Sequence, residues 1–190
     1  MAITDRSTKQ PLINTIRIGH GTLESNDLAT SRRFYEEVLG FEVIQTSAAS
    51  LQIRKNTDTV YVVVQGPNPP KPMNPMNHNG VEVAGAEAVD AAYEKILSVK
   101  DDYGITMGRE PRQAHGDYGF TIVDVDGNYW EILATREGGY VASFADPEPE
   151  RDLTGLHLVD SLGGNPNRNH THEAEFRERL RAELAKQGAT

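Results

Sequence analysis

Residues 33–39 (RFYEEVL) are repeated in modified form at residues 91–97 (AAYEKIL), and this repeat decides the fold. The tyrosines that the two segments share lie 58 positions apart, and the same 58 positions separate His20 from His78. Each half of the chain therefore begins with a histidine and continues into a helix at the same offset. A repeat of this length indicates that one structural unit has been duplicated.

Further strand-like segments follow each of the two helices. The first helix is predicted to begin after Asp27 and to end at Gly40, and the second to lie near residues 87–97. Runs typical of strands then lie at 41–45, 49–53 and 59–65 in the first half and at 105–108, 119–123 and 129–133 in the second. With a first strand around each histidine, from Ile16 in the first half, these runs predict two βαβββ units and hence an α+β fold. The proline-rich segment 67–75 is predicted to join them as an extended surface crossover, outside any sheet or helix.

Three side chains that can bind a metal lie in or beside predicted strands. They are His20, His78 and Glu131. Two imidazoles and one carboxylate form the facial ligand set that holds a divalent metal and leaves other coordination positions open. Any one of these residues is common in a strand, but the equivalent positions of the two histidines in the repeat favour a shared site. The sequence therefore predicts one metal site.

Two motifs now support a resemblance to a known family. Residues 20–43 (HGTLESNDLATSRRFYEEVLGFEV) and 124–133 (DVDGNYWEIL) resemble the opening and closing motifs of the vicinal oxygen chelate superfamily, which includes glyoxalase I, extradiol dioxygenases and bleomycin-resistance proteins. The family's closing motif reads Asp-Pro-Asp-Gly-Asn, two residues and Glu, and Val125 replaces the proline here. The resemblance spans residues 14–137. It implies a cupped, mostly antiparallel sheet that surrounds a metal held by His20, His78 and Glu131.

The resemblance also implies a metal-dependent enzyme. Glyoxalase-like members carry a fourth, carboxylate ligand in the last strand of the first unit, whereas the matching run here, residues 60–64 (VYVVV), has none. A three-ligand site leaves about three positions open on an octahedral metal, which suits a bidentate oxygen ligand and O2 on Fe(II). We expect an oxidoreductase, an Fe(II) extradiol-type dioxygenase that acts with O2 on a catechol-like or other vicinal dioxygen substrate. Mn, Zn and Ni are the alternative metals.

His115, Tyr118 and Tyr129 are the candidate catalytic residues. Extradiol dioxygenases have a histidine in the turn before the seventh strand, and His115 matches it. An imidazole with a pKa near neutrality can move the protons that ring cleavage requires. The resemblance also implies a tyrosine three residues before the closing Asp-Pro pair, where this chain has Thr121. Tyr118 or Tyr129 would have to take its place.

Two other functions stay open at this point. One is a metal-dependent isomerase, epimerase or lyase of the glyoxalase type. The other is a binding protein that sequesters a ligand, as the bleomycin-resistance proteins do. The predicted metal ligands argue against sequestration, because sequestration needs an apolar cleft and no metal.

Composition narrows the class of protein further. The 190 residues carry a net charge of −9, which argues against a nucleic-acid partner. They include no cysteine, which argues against disulfides and thiolate metal sites. Residues 1–12 resemble no signal peptide, and no run of 18 apolar residues predicts a membrane span, so we expect a cytoplasmic protein.

The predicted domain covers residues 14–137, with units at about 14–66 and 77–137. Residues 138–190 form a C-terminal extension that ends in a helix with a narrow apolar stripe. That helix is expected to dock on its own domain or to support a homodimer.

Overall fold

The computed structural model describes residues 7, 9–13, 15, 18–55, 59–114, 116–135 and 139–140. Within it, Thr15–Arg136 forms one compact unit. The predicted C-terminal helix lies outside the described residues, and the predicted domain limits stay a prediction. None of the described helices is long and apolar enough to cross a membrane.

The first half forms a four-stranded sheet. Its strands are β1 (His20–Ser25), β2 (Glu42–Ser47), β3 (Ser50–Arg54) and β4 (Val60–Gln65), in the order β1-β4-β3-β2. β1 pairs with β4 in parallel, and the other pairs are antiparallel. The prediction that the first strand includes Ile18 and Gly19 is wrong, because β1 begins at His20, where pairing with Val60 of β4 begins, while Ile16, the predicted start, lies outside the described residues.

Helix α1 (Leu28–Arg33) follows β1 and begins as predicted. Asp27 is its N-cap, and the Asp27 Oδ1 atom accepts a hydrogen bond from the Thr30 N–H at 2.8 Å. A π-helical segment, Phe34–Val38, continues the helix toward Gly40, whose φ of 65° suits a residue without a Cβ. This segment was not predicted.

The second half forms a sheet of five strands. They are β5 (Asn79–Glu82), β6 (Thr106–Met107), β7 (Arg112–Ala114), β8 (Asp117–Val123) and β9 (Tyr129–Ala134), with helix α2 (Ala86–Val99) after β5. The order is β5-β9-β8-β6, and β7 also pairs with β8. As in the first half, the first strand pairs in parallel with the last. The predicted α+β fold of two related, mostly antiparallel units is confirmed, with β7 as an additional strand.

One aromatic cluster joins the cores of the two halves. Trp130 of β9 is buried, and its ring centroid lies 5.8–6.5 Å from those of four aromatic residues of the first half, which are Phe34, Tyr35, Phe41 and Tyr61. Edge-to-face contacts at this distance stabilise beyond the area that they bury. The even-numbered residues of β9 therefore face the helices and the core, as strand alternation predicts.

The closing motif forms the turn between β8 and β9 and is buried. The Asp124 Oδ1 atom accepts hydrogen bonds from the N–H groups of Asp126 and Asn128 at 3.0 and 2.9 Å, and Oδ2 accepts one from Trp130 Nε1 at 3.1 Å. Burial raises the pKa of the Asp124 carboxyl above its usual value. This carboxylate thus shapes the turn.

Asp126 connects the same turn to the first half. Its Oδ1 atom accepts a hydrogen bond from the Asn26 N–H at 2.7 Å, and its Oδ2 atom accepts one from Ser31 Oγ at 2.5 Å. Both acceptor atoms of a buried carboxylate are therefore satisfied, as burial requires. Asp126 therefore connects the two halves, whereas the hydrogen bonds of Asp124 lie within its own turn and β9.

The proline-rich linker lies against this turn. The Met73 N–H donates to the Gly127 carbonyl at 2.8 Å, and a Cβ on Gly127, which has a φ of 88°, would lie 2.9 Å from Pro72 Cα. The linker ends in a 3-10 helix, Pro75–Asn77. The prediction that no linker proline enters a helix is wrong for Pro75, because the first helical position needs no N–H donor.

Candidate functional site

The pairing of β5 with β9 brings His78 to Glu131. Gly80 of β5 lies opposite Glu131, and His78 immediately precedes β5. The His78 Nε2 and Glu131 Oε2 atoms are 3.1 Å apart. Both residues lie on the face of the second sheet away from the helices, which we call the open face. Their side chains are 37% and 16% exposed, so a small molecule can reach the pair.

A second contact fixes the orientation of the His78 ring. Its Nδ1 atom lies 2.8 Å from the Pro75 carbonyl oxygen. A carbonyl only accepts, so Nδ1 carries the proton and a neutral ring directs the Nε2 lone pair at the Glu131 carboxylate. Two acceptors at this distance need a second imidazole proton or a cation between them. Metal-binding histidines are held in this way, with the other ring nitrogen bonded to a carbonyl or carboxylate.

The distance between the two atoms fits a shared metal. Ligand atoms that each lie about 2.1 Å from a metal, at right angles to each other, are about 3 Å apart. His78 Nε2 and Glu131 Oε2 meet this condition. Within the described part of the chain, however, no third His, Cys, Asp or Glu joins them in a metal-binding group.

His20, the third predicted ligand, lies elsewhere. It is exposed at the start of β1, which is an edge strand of the first sheet. Its backbone partner is Val60, so that it shares a face with the valines of β4 and not with Glu131. The structure therefore brings two of the three predicted ligands together within one chain and leaves His20 apart from them.

Arg109 is a site residue that the sequence did not indicate. Its Nη2 atom donates to Glu131 Oε1 at 2.5 Å, and its side chain is 24% exposed. The two oxygens of Glu131 therefore have different neighbours, with His78 next to Oε2 and Arg109 bound to Oε1. Arg109 lies in the loop before β7, 22 positions from Glu131, and no periodicity or motif links the two in sequence.

The predicted catalytic residues are placed differently from one another. Tyr118 donates to Asp90 of α2 at 2.8 Å, and this hydrogen bond raises the pKa of Tyr118. Thr121 lies opposite Glu131 on the open face, so Tyr118, three positions earlier in β8, faces the helix. The structure therefore does not bring Tyr118 to the site. Tyr129 shares the open face with Glu131, and His115 lies outside the described residues.

The chain belongs to a known family. Residues 17–132 match the model of the Glyoxalase/Bleomycin resistance protein/Dioxygenase superfamily, which confirms the resemblance seen in the sequence. That superfamily contains enzymes of several activities, and membership alone does not distinguish among them. No curated protein matches the chain at a significant level.

Solved structures confirm the fold. A complex of a fosfomycin resistance protein, FosX from Listeria monocytogenes, with Mn(II) and dihydroxypropylphosphonic acid superposes with a TM-score of 0.53 at 19% identity, covering 69% of this chain and 99% of that one. A glyoxalase-related enzyme from Fulvimarina pelagi gives 0.52 at 20% identity, with coverages of 64% and 89%. A glyoxalase/bleomycin resistance protein/dioxygenase from Nocardioides gives 0.52 at 18%, with coverages of 67% and 88%.

Proposed function

We propose that this protein is an enzyme that binds a divalent metal through His78 and Glu131 and acts on a small molecule with two adjacent oxygen atoms. The observation that carries the proposal is the 3.1 Å separation of His78 Nε2 and Glu131 Oε2, with His78 Nδ1 already engaged by Pro75. The FosX complex, which contains Mn(II), is consistent with a metal in this fold.

A divalent metal held there by His78 and Glu131 would supply a Lewis acid that polarises substrate oxygens. The chain itself contributes the fixed imidazole of His78, a carboxylate braced on its far oxygen by Arg109, and the partly buried Tyr129 on the same face. We retain Tyr129 and His115 as candidates for proton transfer. Tyr118 is no longer one, since its hydroxyl is bound to Asp90 on the helix side.

We also propose a homodimer in which His20 of a second copy supplies the third ligand. Within the described residues, one copy lacks a third ligand beside His78 and Glu131. His20 is exposed on the edge strand of its sheet, where another copy can reach it. The Val60 and Val62 side chains beside it are only partly buried, so that the same face offers apolar area for an interface.

The finer proposal is O2-dependent ring cleavage by Fe(II), on a catechol-like substrate. It is supported by β4, which has no carboxylate to act as a fourth ligand and leaves more of the metal open to substrate and O2. A cytoplasmic location stays a prediction from the sequence.

A glyoxalase-type isomerase, epimerase or lyase is the second candidate, and one observation favours it. The position where extradiol enzymes have a tyrosine carries Thr121, and the side chain of Thr121 accepts the Arg109 N–H at 2.7 Å. A threonine used in this way is not a proton carrier for ring cleavage. The nearby Tyr118 cannot substitute from the other face of β8.

Metal replacement separates the two candidates. The protein is purified without oxygen, its metal content is measured, and the metal-free protein is reloaded with Fe(II) or Zn(II). Consumption of O2 with catechol by the Fe(II) form alone supports the dioxygenase. Equal anaerobic turnover of a hemithioacetal or an epimerisable thioester by the Zn(II) form supports the isomerase. A protein that binds neither metal contradicts the proposed function.

A further inference from the structure

Arg109 holds the Glu131 oxygen that faces away from His78. We propose that Arg109 is a positioning residue that restricts Glu131 to binding the metal through one oxygen, Oε2, and so keeps one more coordination position open for a substrate oxygen. This inference rests on the proposed function, because it concerns the metal that His78 and Glu131 are proposed to bind.

The two oxygens of Glu131 have separate partners. Oε2 lies 3.1 Å from His78 Nε2, and Oε1 accepts a hydrogen bond from Arg109 Nη2 at 2.5 Å. A carboxylate can bind a metal through one oxygen or through both. Because Oε1 is held by the guanidinium of Arg109, only Oε2 is free to bind a cation.

The backbone around Arg109 is built to hold it in this place. The Arg109 N–H donates to Thr121 Oγ1 at 2.7 Å, and the Thr121 N–H donates to the Arg109 carbonyl at 3.0 Å. Thr121 is the direct cross-strand neighbour of Glu131. A Cβ on Gly108 would collide with Thr121 Oγ1, so that the glycine allows the loop to approach β8 this closely. Thr121 thus ties the loop that carries Arg109 to the strand beside Glu131.

The hydrogen bonding of the guanidinium is incomplete. Arg109 Nε is buried and has no hydrogen-bond partner within the described part of the chain, and the ion pair with Glu131 is made by Nη2 alone. A buried donor without a partner is uncommon in folded proteins. Arg109 is therefore held beside the carboxylate although one of its donors is left unsatisfied, which fits a role in controlling Glu131.

The test compares metal binding with chelator binding in the full-length protein. Mn(II) affinity is measured by the EPR signal of free Mn(II), and catechol affinity is measured by anaerobic calorimetry on the Mn(II)-loaded protein. In Arg109→Met, Glu131 is free to bind through both oxygens and its charge is uncompensated. We expect Mn(II) to bind about tenfold more tightly, because the number and charge of oxygen ligands set the affinity of such a site, and catechol about tenfold more weakly, because one coordination position is lost to it.

Two further variants sharpen the result. Arg109→Lys keeps a charge that can hold Oε1 and should remain close to wild type in both measurements. Arg112→Met removes an exposed arginine from the neighbouring strand β7 and should change neither. Opposite shifts in the two affinities of Arg109→Met are the expected signature, because a damaged site would lose both.

Three outcomes overturn the inference. If Arg109→Met weakens both Mn(II) and catechol, Arg109 only supports the local structure. If neither affinity changes, Arg109 does not control the carboxylate. If the wild-type protein binds no Mn(II), the proposed function fails and this inference fails with it. The last case is distinct from the first two, in which wild type binds the metal normally.

Discussion

The two halves of the fold share a backbone plan, but only the second half pairs its histidine with a carboxylate. In each half the first strand runs parallel to the last. The offset of 58 residues relates Thr22 to Gly80. Thr22 lies opposite Val62 in β4, and Gly80 lies opposite Glu131 in β9. Val62 therefore holds the position in the first half that Glu131 holds in the second.

This difference shows what duplication provides and what it does not. The repeat reproduces strand order and register, so both histidines precede or begin an edge strand at the same place. A metal site also needs a carboxylate at one position, and the first half has a valine there. His20 has no acidic partner on β4. We infer that His20 can bind a metal only together with Glu131, which belongs to the second half of the fold.

The largest expected effect comes from breaking the second half's pair. His78→Ala and Glu131→Ala should each abolish stoichiometric Mn(II) binding, because each removes one of the two ligand atoms that meet at 3.1 Å. Metal analysis after dialysis measures this. Glu94→Ala, which removes an exposed carboxylate from α2 on the other side of the sheet, is the control. Full occupancy in either site variant would contradict the assignment.

A smaller effect is expected from restoring a site that His20 of one copy shares with His78 and Glu131 of another copy. His20→Ala and His78→Ala should each lack metal when alone. After unfolding and refolding of an equal mixture, half of the dimers are mixed, and each mixed dimer has one intact site. Metal should return to about a quarter of the wild-type content. A mixture that stays metal-free would argue against a site shared between copies, while gel filtration checks that dimers form.

A substitution can also make the first half resemble the second. Val62→Glu places a carboxylate beside His20, in the register that Glu131 has beside His78. If His20 binds the metal, the added carboxylate should tighten Mn(II) binding by about tenfold, since a charged oxygen ligand suits a hard cation. Val62→Gln is the uncharged control. An unchanged affinity in Val62→Glu would indicate that His20 lies away from the metal.

The sequence predicted the architecture well because the repeat indicates the same order of helix and strands in both halves. Helix starts and stops at Asp27 and Gly40 depend on local capping and turn conformations that a sequence shows directly. The strand β7 was missed because its three residues, Arg-Gln-Ala, have no apolar alternation. The π-helical segment was missed because its residues, Phe34–Val38, fit an ordinary helix pattern equally well. Local patterns thus found most elements but not those that tertiary pairing creates.

The candidate site was less predictable for a physical reason. The contact of His78 with Glu131 follows from strand pairing, and the repeat and the closing motif pointed to these residues. The contact of Arg109 with Glu131 depends on how a loop folds onto β8 through Thr121, and no spacing rule covers such a contact. The closing motif also contains Asp124 and Asp126, but these residues are buried in the joint between the halves, a role that the motif alone does not reveal.

That joint gives a prediction about stability. Asp126→Ala removes the acceptors of the Asn26 N–H and the Ser31 hydroxyl, both at the junction with the first half. We expect a loss of about 1–3 kcal/mol in the free energy of unfolding, the usual cost of leaving buried donors unpaired. Urea unfolding measures it. Asp101→Ala, at an exposed position, should change stability little.

Metal content distinguishes the structural role of Asp126 at the joint between the halves from the metal-binding role of Glu131. The Asp126→Ala variant should retain its Mn(II), whereas Glu131→Ala should lose the metal and retain most of its stability. If Asp126→Ala instead lost the metal and kept the free energy of unfolding of wild type, Asp126 would belong to the metal site and not to the joint.

The smallest expected effect is the pH dependence that Asp124 adds to the joint. Burial raises its pKa, so the folded state binds this proton more tightly than the unfolded chain does. The resulting stabilisation is complete below the unfolded value, 3.8, and is lost as the pH rises through the raised value. Asp124→Asn lacks this titration, although it also disturbs the contact with Trp130 Nε1 at every pH. The stability of wild type relative to Asp124→Asn should therefore fall as the pH rises from about 4 toward neutrality, as measured by urea unfolding of both proteins. A difference that stays constant or grows over this range would mean that the buried hydrogen bonds of Asp124 outweigh its desolvation.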